Sequence, residues 1–170
     1  TMSDEIYHPG LEGVIAGETA ICTIAGGLIY RGYSIEDLAE HASFEEVAFL
    51  ILNGELPTQG ELSAFQERLV AAASVPDEVL DTLRKIPADV SPMDVMRTAT
   101  SLLAHWDPDV ADNSHAANLR KAERLLAQLP VILAARFRLE NGDDPIRPEA
   151  GRALAANLLW MLHGTEPLAQ

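Results

Sequence analysis

From Ser34 onward the chain is punctuated by helix starts, and this punctuation commits most of its length to helix. Ser34 with Asp37 and Ser43 with Glu46 stand at the spacing of a capping box, in which a side-chain oxygen and an acid three residues on satisfy free N–H groups reciprocally. Val47, Ala48, Leu50 and Ile51 follow as an apolar surface, and Asn53-Gly54 can close that helix. Glu55-Leu56-Pro57 is a short linker. Thr58 with Glu61 then opens a third helix, with Leu62, Phe65 and Leu69 on one face.

Ser74, Pro76 and Asp77 restart the chain for Val79, Leu80, Leu83 and Ile86, and Pro87 ends the run. Ser91-Pro92-Met93-Asp94 is the sharpest start: Ser can cap exposed N–H groups, Pro fits the first helical position, and Asp sits near the positive end of the dipole. The segment after it, to Trp106, is either one strongly sided helix or, if buried nearly all round, a helix inside a bundle or dimer. Asp112-Asn113-Ser114 offers caps for a long pattern from His115 to Leu139. Pro130 inside it removes a hydrogen bond, so one kinked helix or two abutting helices result. Asn141-Gly142 closes the pattern, Asp143-Asp144-Pro145 is an exposed connection, and a last helix carries Leu154, Leu158, Leu159, Trp160 and Leu162 before Gly164. Seven or eight helices are expected.

Residues 11–33 differ. Val14, Ile21, Ile24, Ile29 and Tyr30 favour extended structure, and Ala25-Gly26-Gly27 supplies a reversal between 19–24 and 28–33, which predicts a small hairpin. No G-K-S/T phosphate loop follows Gly26-Gly27, which argues against a nucleotide role. The domain reading is therefore a 1–33 segment with a small β-hairpin, a helical body over 34–164, and 165–170 as an interrupted linker. Thr1 before Met2 reads as a residue left by cloning, and the start lacks the basic and apolar regions of a secretory signal.

The net charge of −14, from 26 acids against 12 bases, repels phosphate backbones and anionic lipid. An anionic substrate would need a local Arg or His cluster. Cys22 is the single cysteine, so no intrachain disulfide forms, and no run reaches the roughly 18 apolar residues that span a bilayer. A soluble, cytoplasmic protein that meets neither nucleic acid nor membrane is expected.

The residues that carry chemistry form no evident site. None of His8, His41, His105, His115 and His163 makes the i,i+4 pair of a helical zinc site. His105 and His115 flank an acidic connection, where helix-end hydrogen bonding or exposure suits them better than an acid–base role. Cys22, between Ile21 and Thr23, reads as a buried small hydrophobe. Asp107, Asp109 and Asp112 read as a solvated loop that separates helices, since their intervals match no EF-hand. Arg136 and Arg138 read as helix-surface or subunit-contact residues, able also to reach terminal carbonyls or a carboxylate. Arg31 suits the holding of a turn, with no partner evident.

Several separate blocks carry a family resemblance: GLEGVIAGETAI, the run Leu28–Ala39, FEEVAFLILNGELPT, SPMDVMRTATSLL, NGDDPIRP and ANLLWMLHGTEP. Together they resemble citrate synthases and 2-methylcitrate synthases, over nearly the whole chain and less than half of a complete enzyme. The resemblance implies an all-α fold, the N-terminal part of the large domain, with the small β-hairpin near its start. It also implies condensation of acetyl-CoA, or propionyl-CoA in the methylcitrate branch, with oxaloacetate. In that family a histidine and an aspartate take the α-proton, a second histidine polarises the carbonyl, and arginines hold the carboxylates, each a placed polar group that the chemistry requires. Those groups lie beyond Gln170, so no catalytic, cofactor-binding or metal-binding residue is assigned here and this chain alone is expected to be inactive. The resemblance further implies a homodimer through helices near 92–106 and 115–139, and leaves open a complementary C-terminal half or a noncatalytic scaffold role.

Overall fold

The computed structural model describes residues 10, 13–15, 17–24 and 26–165. Ala25, His8, the first residues and 166–170 lie outside them.

The expected hairpin is present and has a third strand. β1 (Cys22–Thr23), β2 (Ile29–Tyr30) and β3 (Tyr33–Ser34) pair antiparallel in that order, with Cys22 opposite Tyr30 and Tyr30 opposite Tyr33. The second reversal uses Arg31 and Gly32, both left-handed at φ 47° and 93°. Two-residue hairpin turns favour positive φ because it matches strand twist, but Arg is rarely found there, so the turn expected at Arg31 did not announce a further strand. Cys22 is exposed on the edge strand, which corrects the expected burial: a two-residue strand offers no second layer to cover it.

Seven α-helices follow among the described residues: α1 (Ile35–His41), α2 (Phe44–Asn53), α3 (Gln59–Ala72), α4 (Asp77–Lys85), α5 (Pro92–Leu103), α6 (His115–Glu140) and α7 (Leu154–His163), with a 3-10 turn at Ala104–Trp106. Local chemistry sets most of their starts. Ser43 and Thr58 form reciprocal boxes with Glu46 and Glu61. The Ser43 backbone N–H and then its hydroxyl hold the Glu46 carboxyl below its usual range. Ser34 accepts from the Asp37 N–H, and Ser114 caps α6 by accepting from Ala117. Ser91 departs from expectation, because its hydroxyl makes no capping bond. Pro92, preset in φ, and Asp94 in the first turn start α5 without it.

Pro130 lies inside one continuous helix, which settles the choice between one helix and two. At 26 residues, α6 is about 39 Å long. It is the axis of the fold and packs against α3, α4, α5 and α7. On one side Ile132 and Ala135 meet Val79 and Leu83 of α4 and Val95, Ala99 and Leu103 of α5. On another, Ala127 meets Phe65 and Leu69 of α3, and Phe49 stands edge-on to Phe65 with ring centroids 5.5 Å apart. Val131 and Ala134 meet Met161 of α7. Ala127, Ala134 and Ala135 keep α6 thin where α3, α4, α5 and α7 close in on it. The 92–106 segment takes the strongly sided form, with Val95, Ala99 and Leu103 buried and Met93 and Trp106 exposed, and on α6 Leu133 and Phe137 stay exposed.

α6 and α7 run side by side in the same direction: Leu154 packs on the cluster that holds Ala127, Met161 lies by Val131 and Ala134, and His163 by Phe137. Parallel neighbours need a crossover, which residues 141–153 provide.

Candidate functional site

The polar groups of this chain are concentrated where helices end. The buried carboxylate of Glu45 in α2 accepts from the Leu154 N–H at 2.7 Å, across 109 residues of sequence. α7 has no cap of its own, since its N-cap residue is Ala153. A charge-assisted bond to the positive end of the helix replaces the missing local one. The buried Asn157 side chain holds the crossover in place, its Oδ1 accepting from the Glu149 N–H at 3.0 Å and its Nδ2 donating to the Glu149 carbonyl at 2.9 Å. Arg152 pairs with Glu149 and lies over the Trp160 ring, 4.9 Å from its centroid.

At the far end of α7, Arg138 donates from Nη1 to the Leu162 carbonyl at 3.3 Å and from Nε to the Asp144 carbonyl at 2.6 Å. Gly164 ends the helix at φ 67°, and a Cβ there would sit 3.1 Å from Ile146 Cδ1. Arg136 is a correction to the surface reading: it is only 3% exposed. Its guanidinium donates to the carbonyls of Ile86 (3.1 Å) and Pro87 (2.7 Å), just past the end of α4, and to Glu140 at 2.7 Å. A fork of five donors meets three acceptors, which is how so buried a charge is tolerated. Arg31 has a partner after all, donating to the Ile51 carbonyl in the last turn of α2 at 2.9 Å. The three arginines thus each occupy carbonyls at the end of a different helix.

The Asp107–Asp112 loop is an ion-pair lattice rather than a freely solvated connection. Arg124 binds Asp107 at 2.6 Å and Asp109 at 2.7 Å, and Arg120 binds Asp109 at 2.5 Å. Arg120 and then Arg124 hold the Asp109 carboxyl far below its ordinary range. Lys121 donates to the Asp112 carbonyl at 2.7 Å. These carboxylates face guanidinium groups, and among the described residues no group of three or more His, Cys, Asp or Glu is arranged to hold a metal ion.

The histidines stay apart from such clusters. His41 Nδ1 lies 3.1 Å from the Asp37 carbonyl, His105 stands edge-on to Trp106, His163 stands edge-on to Phe137, and His115 is exposed in the first turn of α6. His8 lies outside the described residues. The larger cavity, about 590 Å³, lies between α4, α6 and the crossover. Leu80, Val131 and Ala135 contribute apolar lining, while its charged groups pair as Arg84 with Asp81 at 2.8 Å and Arg147 with Asp77 at 3.8 Å.

Glu45 and Asn157 escaped the sequence reading. The one local signal was negative: Ala153, at the start of a strongly apolar helix, cannot cap it, so its acceptor had to come from elsewhere.

An α6-centred helical body entered through a small sheet, with its charged groups used as struts, defines a scaffold class, and comparison supplies the family. A family profile described as "Citrate synthase, C-terminal domain" matches residues 10–170. The chain is 44% identical to the citrate synthase of Haloferax volcanii over 98% of its own length and 45% of that protein. It is 45% identical to the 2-methylcitrate synthase of Mycobacterium tuberculosis over 93% of itself and 40% of that protein. Among solved structures, the citrate synthase of Pyrobaculum aerophilum matches with a TM-score of 0.87 at 33% identity, covering 94% of this chain and 42% of that one. The citrate synthase of Thermoplasma acidophilum, solved as a ternary complex with carboxymethyl coenzyme A and oxaloacetate, gives a TM-score of 0.87 at 26% identity, over 94% of this chain and 43% of that one. The chain belongs to the citrate synthase and 2-methylcitrate synthase family, matches an N-terminal-like portion of it, and is a helical part of the large domain. It spans less than half the length of these relatives.

Proposed function

We propose that this chain is the helical scaffold of a synthase that condenses an acyl-CoA thioester with oxaloacetate, and that the reacting groups are supplied by the remainder of the enzyme. The observation that carries this reading is the 0.87 TM-score match to a family structure that holds a coenzyme A analogue and oxaloacetate, over 43% of that chain. The chemistry needs a base for the α-proton, a donor to the carbonyl and cations for the carboxylates. Here Arg31, Arg136 and Arg138 already serve backbone carbonyls, and Arg120 and Arg124 serve Asp107 and Asp109. These uses support a scaffold role and an inactive isolated chain.

Relatives bearing both names leave two thioesters to compare, acetyl-CoA for citrate and propionyl-CoA for 2-methylcitrate. The proposed assembly is a homodimer through helices near 92–106 and 115–139, on which Met93, Trp106, Leu133 and Phe137 keep exposed apolar surface. Cytoplasm is the proposed compartment.

The test is free coenzyme A release with oxaloacetate and each thioester, for the 170-residue chain and for a full-length enzyme that contains it. Turnover by the full-length enzyme and none by the chain alone is expected. Turnover by the chain alone overturns the scaffold reading. A folded full-length enzyme that turns over neither thioester overturns the synthase reading.

A further inference from the structure

We propose that Glu45 and Arg138 form a two-ended clamp on α7, and that in the full-length synthase they are positioning residues for the chain that continues from Gly164. The inference rests on the proposed function for its catalytic half and on geometry alone for the clamp. Neither residue touches a reacting group in this reading; each acts through α7.

α7 has little to orient it besides its packing. It is ten residues long, below the length at which an isolated helix persists in water, and its N-cap is an alanine. Met161 and Asn157 are its buried side chains, and Leu158, Trp160 and Leu162 pack beside Met161 against α6, but apolar contact is non-directional, so it alone leaves a helix free to slide or tilt. Directional bonds at the ends remove those freedoms. Glu45 fixes the first N–H group from α2 at 2.7 Å, and Arg138 fixes the Leu162 carbonyl from α6 at 3.3 Å. The charges have the senses the helix dipole requires: a carboxylate at the N-terminus and a guanidinium at the C-terminus. Arg138 also holds Asp144 at 2.6 Å, so one guanidinium ties the start of the crossover to the end of the helix that the crossover delivers. Gly164 then sets the exit direction, with Ile146 packed too close to tolerate a Cβ without shifting.

A clamp of this kind changes what a substitution reads out. Loss of either bond frees α7 locally, while α6, held by α3, α4 and α5, keeps its protection. A small displacement at Gly164 carries into whatever the continuing chain presents, and misplacement by about 1 Å can cost a hundredfold in rate.

The experiment compares Glu45→Ala, Glu45→Gln, Arg138→Met and wild type in two readouts. Amide exchange in the 170-residue chain is expected to rise about tenfold or more across 154–164 for Glu45→Ala and Arg138→Met, with 125–137 unchanged. Glu45→Gln keeps an acceptor oxygen and is expected to stay within about threefold of wild type. In the full-length enzyme, kcat is expected to fall about tenfold or more for the first two variants, with both KM values within about twofold, and to be restored in Glu45→Gln. Unchanged exchange in α7, or equal loss in Glu45→Gln and Glu45→Ala, overturns the clamp. Raised exchange with unchanged kcat overturns the positioning role and leaves the synthase reading intact. An inactive wild-type full-length enzyme overturns the synthase reading, and the positioning role with it, while the exchange data still decide the clamp. Should Glu45→Ala fail to fold, Arg138→Met carries both comparisons.

Discussion

α3 and α7 solve the same problem in opposite ways. Both must satisfy the free N–H groups of a first turn. α3 does so with Thr58 and Glu61, three residues apart, and the Thr58 hydroxyl and then its backbone N–H hold the Glu61 carboxyl below its usual range. α7 does so with a carboxylate 109 residues away. A local cap forms whenever its own helix forms, so it stabilises the element. A distant cap forms only when two elements have docked, so it stabilises the arrangement. The same contrast holds at C-termini, where Gly54 closes α2 at φ 99° by local backbone geometry while Arg136 reaches the end of α4 from the middle of the bundle.

Arg136 gives the severest way to break this distinction. Arg136→Met should cost about 2 kcal/mol or more in urea unfolding, because it removes the buried donors of the Ile86 and Pro87 carbonyls and the partner of Glu140. A loss below about 1 kcal/mol would make the distant caps equivalent to the local ones. Thr58→Ala should cost about 1 kcal/mol, the ordinary worth of an N-cap, with protection of α7 unaffected. Loss of α7 protection in that variant would erase the distinction from the other side. The smallest effect is expected at the acidic loop. The folded Asp109 carboxyl titrates below its unfolded value, so its contribution is present above about pH 4 and is lost as pH falls through and below that point. Asp109→Asn should flatten the stability curve between about pH 4 and 2, and added salt should narrow the difference between variant and wild type.

Legibility followed the same division. Ser43, Thr58 and Gly54 could be read because each acts within four residues of its partner, and they returned both ends of α2 and the start of α3 correctly. Ser91 had the same local signal and no capping bond, because Pro92 and Asp94 start that helix without it. The third strand was hidden by an arginine in a left-handed turn, and Cys22 looked apolar by its neighbours while its strand lies at an edge. The arginines were legible as cations suited to carbonyls, but which carbonyls depended on helices meeting far from one another in sequence. The family was legible in blocks of sequence, whereas the bond from Glu45 to α7 left only an uncapped alanine as a trace.

The 109-residue reach from Glu45 to Leu154 also sets an order of assembly. Other contacts between helices span less, 50 residues from Arg136 to Ile86, 55 from Arg68 to Glu123 and 24 from Arg138 to Leu162, so loop closure for each costs less. The Glu45 bond spans 109 positions and needs both α2 and α7 in place, so its formation belongs to a late step. Until then the Glu45 carboxylate remains hydrated. Weakening the bond should then leave the folding rate nearly unchanged and speed unfolding, so that the durability of the native state, rather than the ease of reaching it, is governed by one carboxylate in the second helix.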